Sequence, residues 1–375
     1  MKLIEDLQSE LHQKRNLLRE ATALVGLDGF VDKIVQPVDQ RQGTGGDYLP
    51  IPSINAFGKR ISEAAGKSTN IELAPVVEKL GGNGPIMAEA MRKLGQTVRY
   101  IGALGYPKVH PLFTDFAKNT QAVSLSDPGV THALEFQDGK VMFGSMSTLE
   151  GVHYQAIIDS LGEGAFFEIL DQTETLVLVN WTMLPHMSDF FHALITRVYP
   201  NLGPQENRRF FFDLADPQKR SASDLEAALG LISQFQSFGS VSLGLNYKES
   251  LQIYRLMGFS SEEPCEEGLR RIASRIQDYL KISSVVVHTQ KAAVYSSTQE
   301  TAYHLAPYCQ TPKISTGAGD HFNAGFATAL RMQLSPINCL VFAASVSGYY
   351  IRNAISPNFN QINQFLDLWK ENRLS

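Results

Sequence analysis

The spacing of apolar residues changes several times along the chain, and each change marks an element. Near the start, Ile4, Leu7, Leu11 and Leu18 recur at helical steps, which predicts an amphipathic helix over 3–20. A short apolar run then predicts a strand near 22–27. From Gln36 to Lys79 the pattern dissolves into a stretch rich in Gly, Pro and Ser, which reads as a long irregular segment. The runs 132–137 and 140–145 flank Asp138-Gly139, a pair suited to a tight hairpin turn. Further strands are expected near 175–180, 209–213, 240–245 and 284–288, with helices at 186–198, 221–235 and 264–281. The C-terminal part reads as three helices, 317–332, 336–352 and 359–371. Such alternation predicts an α/β fold with a mostly parallel sheet covered on both faces. Ligands of such sheets bind beyond the carboxyl ends of the strands.

Composition narrows the class without naming a chemistry. A chain of 375 residues can bury a large core, and its length alone would allow two or three domains. The net charge is −5 with both signs interspersed, which leaves no footprint for nucleic acid or an anionic membrane. Cys265, Cys309 and Cys339 form no metal or redox motif, so a reducing cytoplasm is the expected home. The N-terminus lacks the basic flank and apolar core of a signal peptide. No apolar run approaches the ~20 residues that span a bilayer.

The segment Ser315-Thr316-Gly317-Ala318-Gly319-Asp320-His321-Phe322 carries the chemistry. Phe322, Phe326, Ala329 and Leu330 continue it at helical spacing, so the Gly-Ala-Gly stretch opens a helix. Free N–H groups and the positive dipole end make that place an anion site, and glycine lets the backbone approach closely. An Asp beside a phosphate cradle is electrostatically odd. It makes sense if Asp320 takes a proton from a hydroxyl that attacks the phosphate.

This arrangement resembles the signature of the ribokinase-like, or PfkB, family of carbohydrate and nucleoside kinases. The family pattern Asp-Thr-x-Gly-Ala-Gly-Asp is matched from Thr316 onward. Gly81-Gly82-Asn83-Gly84-Pro85-Ile86 leading to Leu94-Gly95 is similar to the family's other signature, a Gly-Gly turn opening a helix. Two shorter fragments follow the family order. Asp28-Gly29-Phe30-Val31-Asp32 ends a first strand with two carboxylates, and Asn246-Tyr247-Lys248-Glu249 is similar to an Asn-x-x-Glu motif.

The resemblance implies a three-layer ribokinase-like sandwich with a small β lid. Residues 1–21 would be a helical extension and 22–375 the kinase domain, with lid elements from about 33–79 and 130–146. It implies ATP-dependent, Mg²⁺-assisted phosphotransfer to a hydroxyl of a sugar, sugar phosphate or nucleoside. Asp320 would be the general base, and the amides of Gly317, Ala318 and Gly319 the anion hole. Asp32, Asp28, Gly81, Gly82 and Asn83 would meet the substrate, and Thr316, Gly317, Gly319 and Asn246 the nucleotide. Asn246 and Glu249 would hold Mg²⁺ through water. Either Asp near the first strand has a local alternative as turn-former or cap, and Asn246 with Glu249 has one as a capping box. A homodimer sharing lid strands is a further family habit.

Departures are as informative as matches. Ile314 stands where the family has Asp, which leaves a monovalent-cation site and K⁺ dependence open. Ile86 stands where relatives often carry Asn, and His288-Thr289-Gln290-Lys291 lacks the usual glycines beside the nucleotide. Gly105-Tyr106-Pro107-Lys108 lacks the common Gly-x-Asp. The alternative to an enzyme is a silent homologue that binds a sugar or nucleotide and regulates a partner. Gly66-Lys67-Ser68 is no Walker A loop, since Ile61 replaces the first glycine, and Gly26 with Gly29 makes no dinucleotide fingerprint. His288, His304 and His321 lack metal spacing and read as packed or surface histidines.

Overall fold

The computed structural model describes residues 2–18 and 22–374. Fourteen strands appear among them. They are β1 Thr22–Leu27, β2 Phe30–Arg41, β3 Tyr48–Pro50, β4 Leu73–Gly81, β5 Thr97–Gly102, β6 Val123–Ser124 and β7 Gly129–Phe136. The rest are β8 Gly139–Ser145, β9 Thr175–Leu178, β10 Arg209–Asp213, β11 Ser240–Asn246, β12 Ser284–His288, β13 Ala292–Ser297 and β14 Thr301–Leu305. Nine of them form one sheet in the order β14-β13-β12-β11-β10-β9-β1-β5-β6. Every pairing from β12 to β6 is parallel, and the β12-β13-β14 edge is antiparallel.

Burial explains why these strands read as unbroken apolar runs. Along β10, Phe210 and Phe212 join the core on one face while Phe211 joins the core on the other. Val285 and Val287 against Val286 repeat this on β12. With helices on both faces neither side of a strand meets water, so alternation disappears.

A second sheet has the order β3-β2-β7-β8, with β4 on the remaining edge of β2. It contains the segment read as irregular from the sequence. Residues 36–79 hold the end of β2, β3, the helix Ile54–Glu63 and most of β4. Exposed Val76 and Val77 sit side by side on β4, so its two faces do not alternate cleanly. Pairing with β2 holds the strand instead, from Phe30↔Gly81 to Pro37↔Leu73. The hairpin at Asp138-Gly139 closes β7 onto β8, with Phe136 opposite Gly139.

The first helix runs Lys2–Lys14 and ends in a 3₁₀ turn, Arg15–Leu18. The end of the expected helix and the 21/22 boundary lie outside the described residues. Ile4, Leu7, Leu11 and Leu18 are buried as their spacing predicts, and Gln8 reaches Asp367 at 2.9 Å. The helix expected over 186–198 is regular only for Met187–Ala193, then widens into a π turn, Leu194–Val198. No helix among the described residues is long and apolar enough to cross a membrane.

Candidate active site

β1 delivers Asp28 to the carboxyl edge of the main sheet, where its carboxylate is fully buried. It accepts the N–H groups of Asn83 at 3.0 Å and Gly84 at 2.8 Å, and the side-chain amide of Asn180 at 2.6 Å. Asp28 thus caps the helix Asn83–Lys93 from another element, since Gly82 at its N-terminus has no side chain to do so. Burial pushes its pKa up to about 6 against the pull of those bonds. Asp28, expected to meet substrate, has this capping task within the protein. Both oxygens of Asp28 are committed to the protein's own donors.

Asp32 is the freer of the two. It sits on β2 between Lys79 of β4 and Thr131 of β7. Burial raises its pKa, while Lys79 and the Thr131 hydroxyl oppose the shift. Its carboxylate lies over Gly81, where an added Cβ would come within 2.5 Å of it. Gly81 is therefore a close approach rather than a flexible joint. Gly82 supplies the left-handed turn, with φ 99°.

The two signatures meet through one hydrogen bond. Asn83 Nδ2 donates to Asp320 Oδ1 at 2.8 Å across 237 positions of sequence. That amide, expected to serve substrate hydroxyls, here holds the expected base. Asp320 is half-buried, and the pKa of its carboxylate is pushed up to about 7. Burial is the main cause, with Asp28 and Glu249 adding negative charge and Asn83 opposing. An ordinary Asp near ~4 is a feeble base, but this one is tuned toward neutrality.

Asp320 rides on the first turn of the signature helix, Ala318–Arg331. Gly317 enters that helix at φ 85°, a left-handed conformation. Its Cα faces Tyr350 and Ile86, so Ile86 forms an apolar wall against the anion loop. Thr316 is exposed at the tip of the loop. Of the three expected anion donors, Ala318 N–H turns back to the Ser315 carbonyl at 3.2 Å. Gly317 and Gly319 are the donors left for a ligand.

Asn246 and Glu249 form the reciprocal capping box of the helix Tyr247–Leu256. Glu249 is buried, and its two oxygens accept the N–H groups of Asp216 and Asn246, each at 2.9 Å. Burial still raises its pKa. Sequence reading missed its neighbour Asp213, at the end of β10, whose pKa is raised by burial and by the charges of Glu249 and Asp320. Asn323 donates to it at 2.7 Å. The available signal was an acidic residue closing the run Phe210-Phe211-Phe212.

No group of three or more His, Cys, Asp or Glu among the described residues is arranged to ligate a metal directly. Glu249, whose charge raises the pKa of both Asp213 and Asp320, nonetheless marks a cluster of negative charge that fits a hard divalent cation held through water. His288 lies beside Gly319 and packs on Phe322, with ring centroids 4.8 Å apart, and burial pushes its pKa down to about 4. His304 packs on Trp369. Two cavities of about 430 and 330 Å³ lie elsewhere, around Lys313 and Tyr349 and around His153 and Arg197, and Asp320 lines neither.

The family of prokaryotic ketohexokinases matches residues 4–369. A ketohexokinase of Haloferax volcanii is 26% identical over 345 residues, covering 91% of this chain and 90% of the relative. Arabidopsis thaliana ribokinase, solved with ribose and ATP, superposes with a TM-score of 0.63 at 15% identity, covering 92% of this chain and 98% of that one. A nucleoside kinase of Methanocaldococcus jannaschii gives 0.62 at 14% identity over the same shares. These likenesses are of fold, and they match the ribokinase-like α/β architecture with its mostly parallel sheet. With the family covering nearly the whole length, the chain belongs to the prokaryotic ketohexokinases and is a PfkB-type carbohydrate kinase.

Proposed function

We propose that this kinase transfers the γ-phosphoryl group of ATP to a hydroxyl of a ketohexose, with Asp320 as general base. The observation that carries the reading is the Asn83–Asp320 hydrogen bond, which joins the sugar-side turn to the phosphate-side helix. In the proposed step the sugar oxygen bonds to phosphorus as the bond to ADP breaks, and the hydroxyl proton passes to Asp320. The transition state is loose, so positioning and charge supply most of the rate. The N–H groups of Gly317 and Gly319 stabilise the charge on the moving phosphoryl. Mg²⁺ would be held through water by Asn246 and Glu249, with Asp213 beside them, and would neutralise further negative charge. Asp32, half-buried and flanked by Lys79 and Thr131, would grip the sugar hydroxyls.

The β2-β3-β4-β7-β8 sheet would act as the lid that excludes water. Its exposed apolar side chains, Val76, Val77, Met142 and Phe143, favour a second copy of the chain as partner. ADP release measured over ketohexoses, aldoses and nucleosides tests the assignment. Turnover confined to ketohexoses is the expected result. Tight sugar binding with no ADP release would replace it with the silent, regulatory reading.

A further inference from the structure

Three successive carbonyls of the anion loop are each fastened from behind by a side chain. The Tyr350 hydroxyl donates to the Thr316 carbonyl at 3.0 Å, and the Ser347 hydroxyl to the Ala318 carbonyl at 2.9 Å. Between them, His321 Nδ1 meets the Gly317 carbonyl at 2.7 Å. Tyr350 and Ser347 share one face of the buried helix Pro336–Asn353. The His321 ring stacks on Tyr350 with centroids 3.6 Å apart and planes 12° from parallel. A carbonyl can only accept, so Nδ1 carries the proton and Nε2 accepts from the Ser356 hydroxyl at 2.9 Å. Burial favours that neutral form.

This fastening fixes where the amides point. A trans peptide is planar, with the C=O of one residue opposed to the N–H of the next, and none of these peptides is cis. Drawing the carbonyls of Thr316 and Ala318 toward Tyr350 and Ser347 turns the N–H groups of Gly317 and Gly319 the other way, while His321 holds the peptide between them, whose Ala318 N–H is bonded to the Ser315 carbonyl. We propose that Tyr350 and Ser347 are positioning residues that aim the anion-binding amides of Gly317 and Gly319, with His321 bracing Tyr350 and the peptide between them. This rests on the reading of Gly317 and Gly319 as the anion hole. His321, read from sequence as a packed histidine, is packed and has this task as well.

Steady-state kinetics on Tyr350→Phe, Ser347→Ala, His321→Ala and His321→Asn test the proposal. They are joined by calorimetry of ADP binding with and without aluminium fluoride, a mimic of the migrating phosphoryl. The two hydroxyl deletions should each lower kcat about tenfold, and His321→Ala by a similar factor through loss of its brace on Tyr350, since misaimed oxyanion donors lose most of their effect. Sugar KM and affinity for ADP alone should hold within about twofold, because neither depends on charge that develops in the transition state. The extra affinity given by aluminium fluoride should disappear in the variants. His321→Asn, which keeps a donor, should recover part of kcat. Folded variants with lower melting temperatures but wild-type kcat and an intact aluminium fluoride response would overturn the proposal. A wild-type protein that gains nothing from aluminium fluoride would instead remove the anion hole, and the proposal with it.

Discussion

At the scale of single residues, Asp320 sets the expected pH behaviour. Its base form is the carboxylate, and burial raises the pKa to about 7, so kcat/KM should climb with pH through that value and then level off. Asn83 stabilises the ionised form, so Asn83→Ala should move the acid limb to higher pH, which a pH–rate profile would show. Asp320→Asn should lower kcat at least ~10²-fold while ATP binding, read by calorimetry, persists. Stability should respond in the opposite sense. A folded-state pKa above the ordinary value means that protonated Asp320 suits the fold, an advantage complete below ~4 and lost as pH rises through about 7. Asp320→Asn should therefore melt higher than the wild type at pH 8. Equal melting temperatures there would contradict the buried, disfavoured charge.

At the scale of elements, turns and caps hold the site. Gly317 needs its left-handed φ, and a Cβ there would stand 3.1 Å from the Tyr350 hydroxyl. Gly317→Ala should cost roughly 1–2 kcal/mol in a denaturant melt and lower kcat more than any sugar KM. Gly81→Ala acts on the other side of the cleft by pushing the Asp32 carboxylate off its seat. It should raise sugar KM on the order of tenfold with a smaller effect on kcat, because misplacing a gripping group by about an ångström is costly. The capping box carries two loads. Glu249→Gln should keep most of the helix cap and still increase the Mg²⁺ needed for half-maximal rate.

At the scale of the whole molecule, a rigid parallel sheet presents the base and the anion loop to a second sheet grown from its first strand. Only Asp28 and Gly29 separate β1 from β2, so the capped turn also anchors the second sheet. The exposed valines of β4 and Phe143 of β8 make a surface that water covers poorly. Light scattering should report a dimer, and Val77→Lys with Phe143→Lys should yield monomer. A monomeric wild type at micromolar concentration would refute the shared-lid proposal.

Local pattern determined the alternating strands and helices, the buried stripe of the first helix and the glycine-opened signature helix, because apolar period and turn chemistry are written in adjacent residues. Motif order likewise singled out Asp320, Asp32, Gly317 and Glu249 as candidates. Pairing decided the rest. β2 and β4 hold together through partners dozens of residues away, and their half-exposed faces leave little period to read. Distance along the chain likewise hid the division of labour between Asp28 and Asp32. Only packing shows that one carboxylate caps a helix end while the other lies over Gly81 between Lys79 and Thr131. Asp213 and the carbonyl-fastening trio of Tyr350, His321 and Ser347 escaped for the same reason, since a hydrogen bond between remote residues leaves no periodic trace.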